Sequence, residues 1–123
     1  MKIKDVANIL KCEILVNNDK AMEEDVVFVG AADMMSDILA FAKPKTLILT
    51  SHVSPQIIRT GIVTDLVGVI IVMDKDVPEE TINLAKENNF LLLRTKYYMF
   101  EACGIIYELI NIKCEKNIKN KKD

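Results

Sequence analysis

Four short apolar runs recur along the chain at a nearly constant interval, and helical segments fill the gaps between them. The runs are VVFVG (26–30), TLILT (46–50), VGVIIVM (67–73) and FLLLR (90–94). VVFVG is a continuous β-branched and aromatic run, the pattern of a strand covered on both faces, and the other three runs are read as strands beside it. Their starts lie about twenty residues apart, enough for one strand, one helix and two short loops. Successive βα units of this size pack as a parallel sheet with right-handed crossovers and helices on its faces. The expected fold is therefore α/β, a three-layer arrangement around a mainly parallel sheet of about four to five strands built from successive βα units. The units share no sequence identity, so the repetition is architectural and not that of a solenoid.

The remaining segments fit this frame. Residues 3–12 place Ile3, Val6, Ile9 and Leu10 on one face of a first helix. EILV (13–16) is a candidate edge strand of either direction, closed by the turn-forming NND (17–19). Helices are expected over 33–42, 55–65, 78–89 and 97–112. Lys43-Pro44 stops the first of these, and Ser54-Pro55 reads as an N-cap followed by proline at the first helical position of the second. The segment CEKNIKNKKD (114–123) has no apolar stripe. Residues 1–112 are thus expected to form a single domain and 113–123 a flexible, lysine-rich tail.

Composition excludes several classes. The chain has 123 residues, half of them apolar, which suits one core. Its net charge of −2, from 18 acidic and 16 basic residues, lacks the basic excess that nucleic-acid binding needs. Cys12, Cys103 and Cys114 are widely spaced and form no CxxC pair, so neither a zinc site nor another metal is expected. No P-loop or GxGxxG is present, and no cofactor is expected. The longest apolar run is too short to span a bilayer, and the first ten residues do not resemble a signal peptide. A cytoplasmic location with free thiols follows as an expectation.

The last helix is apolar over more of its surface than one sheet can cover. Met99, Cys103, Ile106 and Ile110 form one stripe, and Tyr98, Ala102, Ile105, Leu109 and Ile112 a second beside it. The second stripe is assigned to a subunit interface, most simply that of a two-fold homodimer.

Ligands of open parallel sheets collect at the C-terminal ends of the strands. The turns expected there carry Asp33, Thr50, Ser51, His52, Asp74, Arg94 and Thr95, which are the candidate ligand-binding residues. Helix N-termini in the same region favour an anion, so a small anionic or nucleotide ligand is the physical expectation. Ser51 and His52 are adjacent but have no acid placed by spacing beside them, so no catalytic residue is assigned. Asp74 and Asp76 read as turn residues, Arg59 as half of a surface ion pair, and Cys103 as a small core residue.

The segments ADMMSD, PQIIRT, PEETINLA and RTKYYMFEACGIIY resemble, in this order, the DRTGG domain family, especially its short stand-alone bacterial members. The resemblance spans residues 1–112. It implies an α/β fold, a tendency to dimerise and a regulatory or assembly role, since such domains accompany CBS domains in regulated pyrophosphatases. Stand-alone members also imply a metabolic or redox setting. The chain departs from the family pattern in having no Gly-Gly pair: LTSH (49–52) and IVMDKD (71–76) stand at strand ends where glycines would let a ligand approach the backbone closely.

The leading expectation is a non-catalytic regulatory or scaffold module, homodimeric, with a small ligand at the C-terminal edge of its sheet. The alternatives are a small enzyme acting on a phosphorylated or nucleotide substrate, and a pure protein-interaction subunit beside a larger metabolic or redox enzyme. Neither nucleic acid nor membrane is an expected partner.

Overall fold

The computed structural model describes residues 1–122, with side chains described through Ile110. The elements follow in the order α1 (Ile3–Ile9), β1 (Glu13–Val16), α2 (Asp19–Glu23), β2 (Phe28–Ala31), α3 (Met35–Phe41), β3 (Thr46–Thr50), α4 (Gln56–Val63), β4 (Gly68–Ile71), α5 (Glu79–Glu87), β5 (Leu92–Arg94) and α6 (Met99–Lys122). The five strands form one sheet in the order β1-β5-β4-β3-β2. Strands β2 to β5 run parallel, and β1 pairs antiparallel with β5, Glu13 opposite Arg94. The expected α/β architecture is present, with EILV as an antiparallel edge.

The strand order explains how the layers are filled. From β2 to β5 each new strand adds on the same side of the last, so crossovers of one hand put every connecting helix on one face. On that face Ile38 of α3, Ile57 and Ile58 of α4 and Ala85 of α5 pack against Ile48, Val69, Ile71 and Leu92. The opposite face is covered by the two ends of the chain. Ile3, Val6, Ala7 and Leu10 from the α1 segment and Ala102 and Ile106 from α6 meet Leu47, Leu49, Ile70, Val72, Leu91 and Leu93. The period-two alternation of a strand divides each apolar run between these two cores, which is why no polar position interrupts it.

Three local expectations are corrected. Ile9 is exposed, and Ala7 takes its place in the core. The segment expected as a simple turn after β1 goes on into a short helix, α2, where Asn18 caps the N-terminus by accepting from Ala21 N–H at 3.0 Å. Ser54 does not cap α4 with its side chain. Pro55 already has helical angles, and Ile57 N–H bonds the Ser54 carbonyl at 3.1 Å.

Glycine matters most where a ring lies on the backbone. A Cβ on Gly61 would stand 2.5 Å from the Phe90 ring, and one on Gly30 would stand 2.6 Å from the Phe41 ring. No described helix is long and apolar enough to cross a membrane.

Candidate functional site

The loops at the C-terminal ends of the parallel strands separate into two polar groups. A monotonic strand order has no reversal, so the sheet lacks the switch-point crevice in which doubly wound sheets hold ligands. The loops instead line up along an open edge.

The first group lies beyond β2 and β3. Asp33 Oδ1 accepts from the Thr50 hydroxyl at 3.2 Å and from Ser51 N–H at 2.7 Å. Thr50 Oγ1 in turn accepts from His52 N–H at 3.1 Å, and the His52 Nε2 lies 2.6 Å from Ser54 Oγ. Thr81 at the start of α5 donates to the Val53 carbonyl at 2.8 Å and pins the loop from the other side. Burial pushes the Asp33 carboxyl up. The hydrogen bonds from Ser51 and Thr50 and the charge of Lys75 outweigh that effect and hold it below its ordinary value. The Asp33 carboxylate is thus committed to Thr50 and Ser51, while the His52 ring turns to Ser54. Asp33, Thr50, Ser51 and His52 are brought together, but the acid orients the loop backbone and not the imidazole.

The second group lies beyond β4 and β5. The Arg94 guanidinium bonds Glu13 Oε2 through Nε at 3.1 Å and through NH2. It also reaches the Lys75 carbonyl at 3.3 Å and stands 3.6 Å from Asp74 Oδ1. The hydrogen bond with Glu13 raises its pKa. Arg94 therefore ties the antiparallel edge strand β1 to the β4 loop. Thr95 is 1% exposed, and its hydroxyl donates to the Leu10 carbonyl at 2.8 Å at the end of α1. Met73 and Asp74 both take left-handed backbone angles, and their N–H groups bond the carbonyls of Tyr97 and Thr95. A conformation that favours glycine is thus held by two non-glycine residues, because two backbone hydrogen bonds fix the turn. Asp74 is a turn residue, and Arg59 is exposed and forms no ion pair among the described residues.

A wider hollow lies elsewhere. The outer edge of β2 and the flank of α6 enclose an apolar groove of about 560 Å³, lined in part by Val27, Val29, Ala31, Cys103, Tyr107 and Ile110. The sequence assigned an open face of this helix to Tyr98, Ala102, Ile105, Leu109 and Ile112. Ala102 belongs to the core instead, fully buried beside Ile106, because these residues one turn apart both face the sheet. Ile105 and Leu109 are half-buried, Tyr98 is exposed, and the Ile112 side chain lies outside the described residues. The open rings are Phe100, 90% exposed, and Tyr107, 67% exposed. Sequence reasoning missed both, although their spacing around Gly104 puts them on one helical face. Burial pushes the Cys12 thiol up to about 12 and also raises Cys103, so both stay protonated at neutral pH. Among the described residues no cluster of His, Cys, Asp or Glu is placed to hold a metal ion.

The family model of the DRTGG domain matches residues 5–109. The chain belongs to the DRTGG domain family. No curated protein matches it in sequence. Among solved structures it is similar to the CBS and DRTGG domains of the regulatory region of Clostridium perfringens pyrophosphatase, crystallised with the activator diadenosine tetraphosphate. The TM-score is 0.69 at 19% identity over 85% of this chain, a likeness of fold. This DRTGG chain spans 45% of that structure. The edge strand, the parallel βα units and the closing helix therefore constitute a DRTGG fold.

Proposed function

We propose that the protein is a non-catalytic regulatory module, a homodimer that takes a small anionic or nucleotide ligand at the C-terminal edge of its sheet. The observation that carries this reading is the ordered edge itself. Its loops are fixed by hydrogen bonds involving Asp33, Arg94 and the buried hydroxyls of Thr50, Thr81 and Thr95, while Asp33 is exposed and Ser51, His52 and Arg94 are half-buried, so polar groups still reach the surface. A prearranged polar edge binds without the ordering cost that a loose loop incurs. The regulatory setting of the similar pyrophosphatase domains, crystallised with a dinucleotide, supports the ligand class. Within the edge, Asp33, Thr50, Ser51 and His52 are the proposed contacts, with Asp74, Arg94 and Thr95 as the residues that shape it.

The enzyme reading needs His52 paired with a carboxylate. Its Nε2 pairs with Ser54, and Asp33 is engaged by Thr50 and Ser51, so the geometry favours binding over turnover. The homodimer is proposed to use the β2–α6 groove, an apolar hollow flanked by the exposed rings of Phe100 and Tyr107. A larger metabolic enzyme in the cytoplasm is the proposed target of the regulation. Thermal-shift measurements against mononucleotides and phosphorylated metabolites test the ligand, because a ligand that binds only the folded state raises the melting temperature by mass action. A melting temperature indifferent to all of them would leave a pure interaction subunit as the better reading.

A further inference from the structure

The contacts proposed above on the β2–β3 loops include no lysine or arginine to balance an anion's charge. Asp33 puts a carboxylate at the centre of the β2–β3 loops. The Arg94 guanidinium is occupied by Glu13, Asp74 and the Lys75 carbonyl. The apolar groove offers no cation among its lining residues. A further hollow of about 380 Å³ lies where the C-terminal end of α1 meets the first turn of α6, lined by Leu10, Lys11, Lys96, Tyr97, Tyr98 and Glu101. Neither Lys11 nor Lys96 forms an ion pair among the described residues.

We propose that this hollow binds a phosphate ester carrying a flat heteroaromatic ring, the chemistry of a mononucleotide, with the phosphate between Lys11 and Lys96 and the ring against the Tyr98 face. Two lysines on one lining supply the charge that a phosphate needs. Tyr98 is 64% exposed, and an open aromatic face stacks on any base. The volume falls within the range of about 300–1,000 Å³ typical of small-ligand sites.

The backbone under both lysines is held in place. Lys11 N–H bonds the Asn8 carbonyl at 3.1 Å, and the adjacent Leu10 carbonyl is taken by the Thr95 hydroxyl at 2.8 Å. That bond also satisfies a carbonyl that would otherwise repel an anion at the helix end. Lys96 lies between Thr95 and Tyr97, whose carbonyls accept from Asp74 and Met73. Glu101 is the one acid on the lining, and it makes the site selective. It repels a bare phosphate, whereas it can accept from a sugar hydroxyl or an exocyclic amine of a larger ligand.

This inference rests on the ligand-binding reading and gives a phosphate ester a place of its own at the β5 end of the same edge. Isothermal titration of the full chain at low salt with AMP, adenosine, ribose 5-phosphate and inorganic phosphate tests it, alongside melting temperatures. AMP is expected to bind more tightly than any of the other three. The double variant Lys11→Ala/Lys96→Ala should weaken AMP at least tenfold and Tyr98→Ala several-fold, while Lys86→Ala, an exposed lysine on α5 away from the hollow, should leave AMP affinity unchanged. All of the altered side chains reach solvent, and each variant's melting curve checks its folding. If AMP binds the lysine variant as tightly as the unaltered protein, the site is wrong while the ligand-binding reading stands. If inorganic phosphate matches AMP, the ring contact is wrong. If neither AMP, GMP, CMP nor UMP binds the unaltered protein, both the site and the nucleotide reading fail.

Discussion

The polar loop edge and the apolar β2–α6 groove are built in opposite ways. At the loop edge nearly every side chain of interest is already engaged inside the protomer: Asp33 with Ser51, His52 with Ser54, Arg94 with Glu13, Thr95 with Leu10. In the groove the prominent side chains have few neighbours. Phe100 and Tyr107 extend over open space beside Gly104, and β2 presents an edge with no further strand. The first region is closed by contacts within the chain and is the one proposed to take a small ligand. The second leaves large apolar side chains open and is the one proposed to pair with a second copy. An uncovered edge strand beside exposed rings is an association hazard that natural proteins cover.

The largest expected effect follows from that contrast. For the proposed dimer, the unaltered protein should sediment as a dimer at micromolar concentration, and Phe100→Asp combined with Tyr107→Lys should convert it to a monomer, with the melting curve otherwise cooperative. Two buried aromatic anchors are commonly worth several kcal/mol, about 2 kcal/mol or more each, so dimer affinity should fall at least a hundredfold. A dimer that survives the double change would place the interface elsewhere and would break the comparison.

The loop edge should respond through folding and not through association. Thr95→Val keeps the shape but leaves the Leu10 carbonyl and Tyr97 N–H without the hydroxyl they share. Losing a buried partner of this kind costs about 1–3 kcal/mol, which denaturant unfolding will read. Oligomeric state should not change. Gly30→Ala, at the boundary of the two regions, sharpens the contrast further. Its new Cβ meets the Phe41 ring on the α3 side of the sheet, so about 1–2 kcal/mol of overpacking is expected, with the dimer retained.

Much of this was legible in the sequence, and the failures have identifiable causes. TLILT and EILV form strands at the residues expected, because β-branched runs bounded by turns have few alternatives. The layer assignment of α6 was harder. A helix with two adjacent apolar stripes does not state which faces the sheet, and Ile106 of one stripe and the small Ala102 of the other proved to be buried against it. Small residues let a helix approach closely but carry little hydrophobic signal, whereas the exposed rings of Phe100 and Tyr107 carry a large one. The site residues illustrate the same limit. Spacing placed Asp33, Thr50, Ser51 and His52 in loops at one end of the sheet. Side-chain direction decided that Asp33 meets Ser51 N–H and that His52 meets Ser54. The lysine hollow was invisible to motif reasoning, since Lys11 and Lys96 are far apart in sequence and come to line one hollow where β1 pairs back onto β5.

The smallest expected effect distinguishes a group engaged for stability from one held for a ligand. The Asp33 carboxyl is held below its ordinary value in the folded protein, so the folded state binds its proton less readily than the unfolded chain. Its contribution is therefore fully present above the ordinary carboxyl pKa of about 3.9 and is lost as pH falls through the lower folded value. Asp33→Asn should flatten the acid limb of the stability-pH profile there and leave the neutral region nearly unchanged, because the carboxylate is exposed and screened by solvent. Melting temperatures taken from neutral pH down through the carboxylate range check the sign. A variant that loses much stability at neutral pH would show that Asp33 organises the loop far more than its exposure implies, and the polar edge would then depend on this one residue as the groove depends on its rings.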